Sequence, residues 1–273
     1  MGGSMEIKLA VNTVTIKPTP FVEKISLIAE AGFTGVGLWM EDIQDYLKKN
    51  GNKQVKALLE NETLTPVEMQ LIRKWQYLKG SEKKDAFKEA EKFLSLMKKL
   101  NINCPIVLLP SEEEGPLKDG IRDFKQMCEL AGEFGFGVML EFIGWAKQIN
   151  NIKIAWEIVR EADCANGGLL IDTFHFFKAG SKIEDLKQVP MDKVFLVHIN
   201  DVKPLPMGVK EQSRGFRFFP GEGVAPLKQI VRCFVEGGYE NYYCVELFNE
   251  TYWAMDPMAV LKKSKQSVEE LFS

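Results

Sequence analysis

A single (β/α)8 barrel is the fold class that the sequence predicts, and three observations predict it. Eight short, β-rich apolar runs recur along the 273 residues with helical stretches between them. Their spacing, mostly about 30 to 40 residues, is that of one strand and its crossover helix. No Pro/Ser-rich linker or low-complexity tract divides the chain, and its length suits one barrel domain over residues 5–273. Met1-Gly2-Gly3-Ser4, ahead of a second methionine, reads as an expression scar outside the fold.

The runs fall at 7–12, 35–39, 65–70, 104–109, 137–141, 168–172, 194–200 and 242–247. After the first, Phe21, Ile25, Ile28 and Ala29 share a helical face; after the third, Phe87, Ala90, Phe93, Leu94, Met97 and Leu100 do the same. Ile121, Phe124, Met127, Leu130 and Ala131 repeat the pattern, as do Ile154, Ala155, Ile158 and Val159. Helices over 227–235 and 257–271 close the series. Alternation of this kind favours a parallel sheet with helices outside. The competing architecture is an open doubly wound sheet, against which stands the lack of a Gly-rich phosphate fingerprint after the first run. Gly32, Gly135, Gly167-Gly168 and Gly237-Gly238 stand where helix gives way to strand, and are expected to end helices in the left-handed conformation.

Hydrophobic residues at 45% and charged residues at 27% can build an ordinary core and carry no signature of disorder. The net charge of −3 comes from interspersed Lys and Glu, without the basic footprint that a phosphate backbone requires, so nucleic acid is excluded as the expected partner. Five scattered cysteines with no C-x-x-C pair argue against a disulfide framework or a thiolate metal site and fit a reducing cytoplasm. No apolar run approaches the roughly 18 to 20 residues that span a bilayer.

In a β/α barrel the reactive groups stand at the C-terminal strand ends, where the following loops form a cup. The fifth run ends in Val138-Met139-Leu140-Glu141, the sixth in Leu169-Leu170-Ile171-Asp172, the seventh in Phe195-Leu196-Val197-His198 and the eighth in Tyr243-Cys244-Val245-Glu246. A lone charge there costs several kcal/mol if desolvated, so four in register are expected to be paired or to bind a cation. Three carboxylates and one imidazole suit a divalent ion, Mn²⁺, Mg²⁺ or Co²⁺, with Zn²⁺ also feasible. The bland reading of any one of them is a helix cap or an ion-pair member. The chain has only two histidines, and the second candidate, His175, follows Asp172 by three residues on what reads as the loop rim. Arg217, in the Arg/aromatic/glycine loop 214–223, is a candidate donor to substrate oxygens, placed by the Pro220-Gly221-Glu222-Gly223 turn. Trp39, Trp145, Phe216 and Tyr252 are candidate apolar walls.

The segments Leu140-Glu141-Phe142-Ile143-Gly144, Ile171-Asp172-Thr173-Phe174-His175-Phe176, Val197-His198-Ile199-Asn200-Asp201, Arg217-x-x-Pro220-Gly221-x-Gly223 and Val245-Glu246-Leu247-Phe248 resemble the sugar phosphate isomerase/epimerase family, which is xylose-isomerase-like. Within it they resemble especially the inosose isomerases of inositol catabolism. The resemblance implies a (β/α)8 barrel and one divalent metal on Glu141, Asp172, His198 and Glu246. It further implies substrate contacts from His175 and Arg217, with Glu141 and Glu246 as the catalytic acid and base. The expected partner is a small sugar or cyclitol, not nucleic acid or membrane; a homo-oligomer is compatible with the sequence. Lys147 stands where the ketose 3-epimerases carry a second glutamate, which ranks that activity lower. Gly37 replaces an acid that many relatives carry near that position. The histidine-rich trinuclear centre of the endonuclease IV branch cannot be built from two histidines. The implied reaction is carbonyl migration or epimerisation through an enediolate. A lyase or dehydratase on keto-inositols or 3-keto-glycosides is the alternative from the same chemistry, and a non-catalytic sugar-binding barrel the alternative from a different class.

Overall fold

The computed structural model describes residues 7–50 and 55–273; the four-residue leader read as an expression scar lies outside them. The strands are β1 (Leu9–Asn12), β2 (Gly35–Trp39), β3 (Thr65–Ile72), β4 (Ile106–Leu108), β5 (Val138–Glu141), β6 (Gly167–Asp172), β7 (Val194–Ile199) and β8 (Tyr243–Val245). They are all parallel and close into a barrel in sequence order, β8 pairing with β1 through Leu9↔Tyr243 to Val11↔Val245. All eight expected runs are strands, and the open doubly wound alternative is ruled out by that closure.

The expected helical faces lie against the barrel wall. Phe21–Glu30 buries Phe21, Ile25 and Ile28; Gly80–Leu100 buries Ala90, Leu94, Met97 and Leu100; Leu117–Phe134 buries Phe124, Met127 and Ala131. Each sets a 3.6-residue stripe on a sheet whose strands are buried on both faces, as a parallel barrel demands. Two connections depart from expectation. Met40–Asn50 and Val55–Asn61 are helices outside the expected set, and β6 is followed by a single turn and a half, Thr173–Lys178. Gly32, Gly135 and Gly238 do take positive φ, but Gly167 and Gly168 do not, because Asp163 (φ 49°) already ends that helix. Gly168 is bare for a different reason: a Cβ there would lie 2.6 Å from the Phe195 ring and 2.8 Å from the Lys193 carbonyl.

The lumen is layered. Ala10, Val67, Val107, Met139, Leu170, Leu196 and Cys244 form an apolar plug. Two residues on from five of these, towards the C-terminal ends, come Asn12, Glu141, Asp172, His198 and Glu246, since alternate residues of a strand share a face. β3 joins this polar layer through a bulge. Its pairing with β2 runs Val36↔Pro66 and then Gly37↔Glu68, so Val67 is passed over, and both Glu68 and Gln70 are buried.

Candidate metal centre and its cavity

Four of the residues that sequence reasoning singled out do meet. Ligand atoms of Glu141, Asp172 and His198 lie within 4.8 Å of one another, and Glu246 Oε2 is 3.3 Å from His198 Nδ1. His198 and Asp172 are wholly buried, Glu141 and Glu246 nearly so. Register explains the convergence: Asp172↔His198 are Cα partners across β6 and β7, Glu141↔Leu170 are partners across β5 and β6, and Glu246 stands one residue past β8.

Asp172 does two jobs. Its Oδ1 caps the helix Thr173–Lys178, accepting from the Phe174 and His175 backbone N–H groups at 2.7 and 3.4 Å, and also accepts from Asn200 Nδ2 at 3.1 Å. Its Oδ2 is left facing the site, 3.8 Å from His198 Nδ1. The bland reading of a strand-end acid as a cap is thus true of one oxygen and not of the other. The same cap corrects the placement of His175: it sits in a helical turn, buried, and not on a loop rim. Its Nδ1 accepts from the Gly144 N–H at 3.3 Å, its ring meets Trp145 edge to face at 5.0 Å, and its Nε2 is 3.9 Å from Glu141 Oε1. Burial, with the Arg217 charge beside it, pulls the His175 pKa down to about 4 in spite of Asp172, so the ring is neutral at neutral pH.

Arg217 is buried among the acids. Nη1 donates to Asp172 Oδ2 at 2.6 Å and to Glu246 Oε2 at 2.7 Å, Nε donates to the Ser213 carbonyl at 3.0 Å, and Nη2 donates to Ser213 Oγ at 3.0 Å and lies 3.4 Å from His175 Nε2. The guanidinium is stacked near Phe174 and Phe248. Its donors are therefore engaged by protein groups. The organiser of its loop is Asp201, not the glycine turn alone: Asp201 accepts from the N–H groups of Val202, Gly221, Gly223 and Ala225 at 2.7 to 3.0 Å. Gly223 must be bare, since a Cβ there would collide with Asp201 and the Val202 carbonyl.

The charges divide the carboxylates. Burial works to raise all three; Glu141, with Asp172 and Glu246 beside it, goes well above the ordinary range, while Arg217 and the histidines hold Asp172 far below it and His198 and Arg217 hold Glu246 below it. Burial works against charge on His198, yet Glu68 and Glu246 raise its pKa well above the ordinary value.

Two residues that sequence reasoning missed complete the centre. Gln70 Nε2 donates to Glu246 Oε1 at 2.8 Å, and Glu68 Oε1 lies 2.9 Å from His198 Nε2. Their pattern, polar residues at i and i+2, points into the lumen only once closure of the sheet has removed the solvent face.

The residues fit a divalent ion. His198 Nδ1 is fully buried, has no hydrogen-bond partner, and faces three carboxylates, which is the donor set of a hard-to-borderline metal. Above them opens a cavity of about 760 Å³. Trp39, Trp145 and His175 line it as expected, with Phe248 and Trp253 added; Phe216 and Tyr252 do not line it, Phe216 being exposed and Tyr252 stacked on Phe219 at 4.2 Å. At its mouth stand Lys17, Arg73, Lys74 and Arg214, all exposed and, among the described residues, in no ion pair. Lys74 has a φ of 54° just ahead of two anchors, Trp75, which donates to the Leu109 carbonyl at 2.9 Å, and Tyr77, whose N–H donates to Asp123 at 2.7 Å.

The described residues include no helix long and apolar enough to cross a membrane. Among curated proteins the chain is 26% identical to the inosose isomerase of Halalkalibacterium halodurans, over 98% of this chain and 97% of that one. It is 30% identical to the 3-dehydroshikimate dehydratase of Pseudomonas aeruginosa over 90% of this chain, but spans only 38% of that relative's length. Among solved structures, the IolI protein with a bound zinc atom superposes with a TM-score of 0.89 at 23% identity, covering 97% of this chain and 98% of that one, a likeness of fold. The family model for the xylose isomerase-like TIM barrel matches residues 25–271, and the chain belongs to that family.

Proposed function

We propose that the protein is a divalent-metal-dependent isomerase or epimerase of a keto-sugar or keto-inositol. The observation that carries this reading is the buried, partnerless Nδ1 of His198 facing Glu141, Asp172 and Glu246 at the floor of an aromatic-walled cavity. The full-length match to an inosose isomerase supports it.

Glu141, Asp172, His198 and Glu246 would hold the ion, which when bound supplies Lewis acidity to the carbonyl and neighbouring hydroxyl oxygens of an α-hydroxyketone. Glu141 and Glu246 come from β5 and from the end of β8, so they flank a substrate seated over the centre. One removes the proton from the hydroxyl-bearing carbon next to the carbonyl; a proton returned to the former carbonyl carbon, with the hydroxyl proton passing to the other oxygen, shifts the carbonyl, and one returned to the same carbon from the opposite face inverts it. Gln70 fixes the Glu246 carboxylate by its Oε1, leaving Oε2 turned to the centre. Arg217 Nη1 holds the Asp172 and Glu246 oxygens that would ligate the ion, so with the ion bound those N–H groups would be free to turn to substrate oxygens. Neutral His175 and the walls Trp39 and Trp145 orient the ring and exclude water.

The test is metal analysis of protein purified without chelator, followed by a screen of inososes and ketoses in D₂O. Deuterium at the carbon next to the carbonyl, with unchanged product mass otherwise, is the expected outcome. Protein that binds no stoichiometric metal and exchanges no proton overturns the reading.

A second reading, dehydration of a cyclic keto acid, has one observation of its own: four cations at the mouth, in no ion pair among the described residues, suit a carboxylate that a neutral inosose does not have. An enolate next to a leaving hydroxyl eliminates water, so product mass lower by one water separates this reading from the first.

A further inference from the structure

Glu68 is wholly buried, stands on β3, which pairs with none of the strands that carry a proposed ligand, and takes no part in the chemistry above. Its Oε1 sits 2.9 Å from His198 Nε2 and accepts from Asn12 Nδ2 at 2.6 Å; its Oε2 has no partner. Asn12 cannot turn its amide over, because its own Oδ1 accepts from the Val14 N–H at 3.0 Å. Cys244 Sγ adds a weak contact to Oε1 at 3.8 Å. Space for the carboxylate is made by Gly37, its register partner on β2: a Cβ at Gly37 would collide with Glu68 Oε1 and stand 3.0 Å from Asn12 Nδ2.

We propose that Glu68 is the positioning residue of the metal centre, the acceptor that keeps the His198 proton on Nε2 and so keeps the Nδ1 lone pair turned to the ion; this rests on the metal reading above. A neutral imidazole has one N–H. Three carboxylates surround Nδ1, the nearest at 3.3 Å, and each of them attracts that proton to the wrong nitrogen. Glu68 is the group on the opposite side of the ring that competes for it. In the Nδ1–H tautomer two lone pairs would face each other across 2.9 Å between Nε2 and Oε1, and the ion would lose its only nitrogen ligand. Acceptors of this kind behind a ligating histidine are worth about 10- to 100-fold in metal affinity.

The experiment compares the full chain with Glu68→Leu, Glu68→Gln and Gly37→Ala. Zinc affinity is read by competition with a chromophoric chelator, and the His198 ring by proton–nitrogen NMR of the zinc-loaded protein, where the chain's two histidines give two imidazoles to assign. Glu68→Leu is expected to lose about 10- to 100-fold in affinity, and Glu68→Gln less, because its amide oxygen still accepts from Nε2. Gly37→Ala keeps Glu68 but displaces its carboxylate, and is expected to follow Glu68→Leu. The Nε2 proton is expected to be sharp and slow to exchange in the parent, and lost to exchange in Glu68→Leu. Affinities of Glu68→Leu and Gly37→Ala within about twofold of the parent, below the usual size of such effects, overturn the assignment. If Glu68→Leu does not fold, Gly37→Ala decides on the same criterion. A parent protein that takes up no zinc, manganese or cobalt overturns the metal reading itself.

Discussion

The two halves of the barrel contribute differently to one site. β5 to β8 deliver the candidate ligands, each at or just past a strand's C-terminal end after an apolar run. β1 to β3 deliver none of them, yet Glu68 and Gln70 grip His198 and Glu246 from behind, with Asn12 donating to Glu68. The lesson is that a polar layer in a closed lumen has to be satisfied all the way round. A ligand that must present one atom to an ion needs its other atom held by the opposite wall.

The comparison can be broken or sharpened by substitution, from the largest effect down. Glu246→Gln removes an acid or base while keeping size, so turnover is expected to fall about 10²- to 10⁴-fold, by more than metal affinity falls, checked by steady-state kinetics and metal analysis. Activity near the parent level would remove the ligand half from the chemistry. Gln70→Leu acts from the supporting half, and its expected cost is smaller, about 10-fold in turnover or metal affinity. A loss as large as that of Glu246→Gln would erase the distinction between the halves. Asp201→Ala touches neither half but strips the acceptor from four backbone N–H groups around the Arg217 loop. It is expected to lower stability by about 3 kcal/mol in urea unfolding, with the metal centre's affinity much less changed. Arg73→Gln with Lys74→Gln has the smallest expected effect: KM rises a few-fold for a cyclic keto acid at low salt, stays level for a neutral inosose, and kcat is unchanged. Equal response of both substrates would detach the rim cations from recognition.

The ligand half was legible because a charge that ends an apolar run is costly unless a partner or an ion compensates it, and four such charges on consecutive strands of a barrel are brought to one place. Glu68 and Gln70 were not legible, because Val67-Glu68-Met69-Gln70 alternates like any half-exposed strand. Only closure of the sheet removes the solvent face, and only the bulge at Val67 turns Glu68 towards His198. The burial of His175 was hidden too, because the cap that Asp172 makes for its helix depends on the rotamer of one carboxylate.

By itself the sequence determined the barrel and the convergence of Glu141, Asp172, His198 and Glu246. Strand period, crossover length and the place of reactive groups in such barrels are local or general rules. Tertiary structure alone decided which oxygen of Asp172 caps a helix and which faces the centre, that Arg217 is bound by the acids it neutralises, and that Glu68 stands behind His198 in the space that Gly37 leaves. Those are matters of contact between residues far apart in the chain, where a side chain's partner is set by whichever group closure of the sheet brings within hydrogen-bond distance.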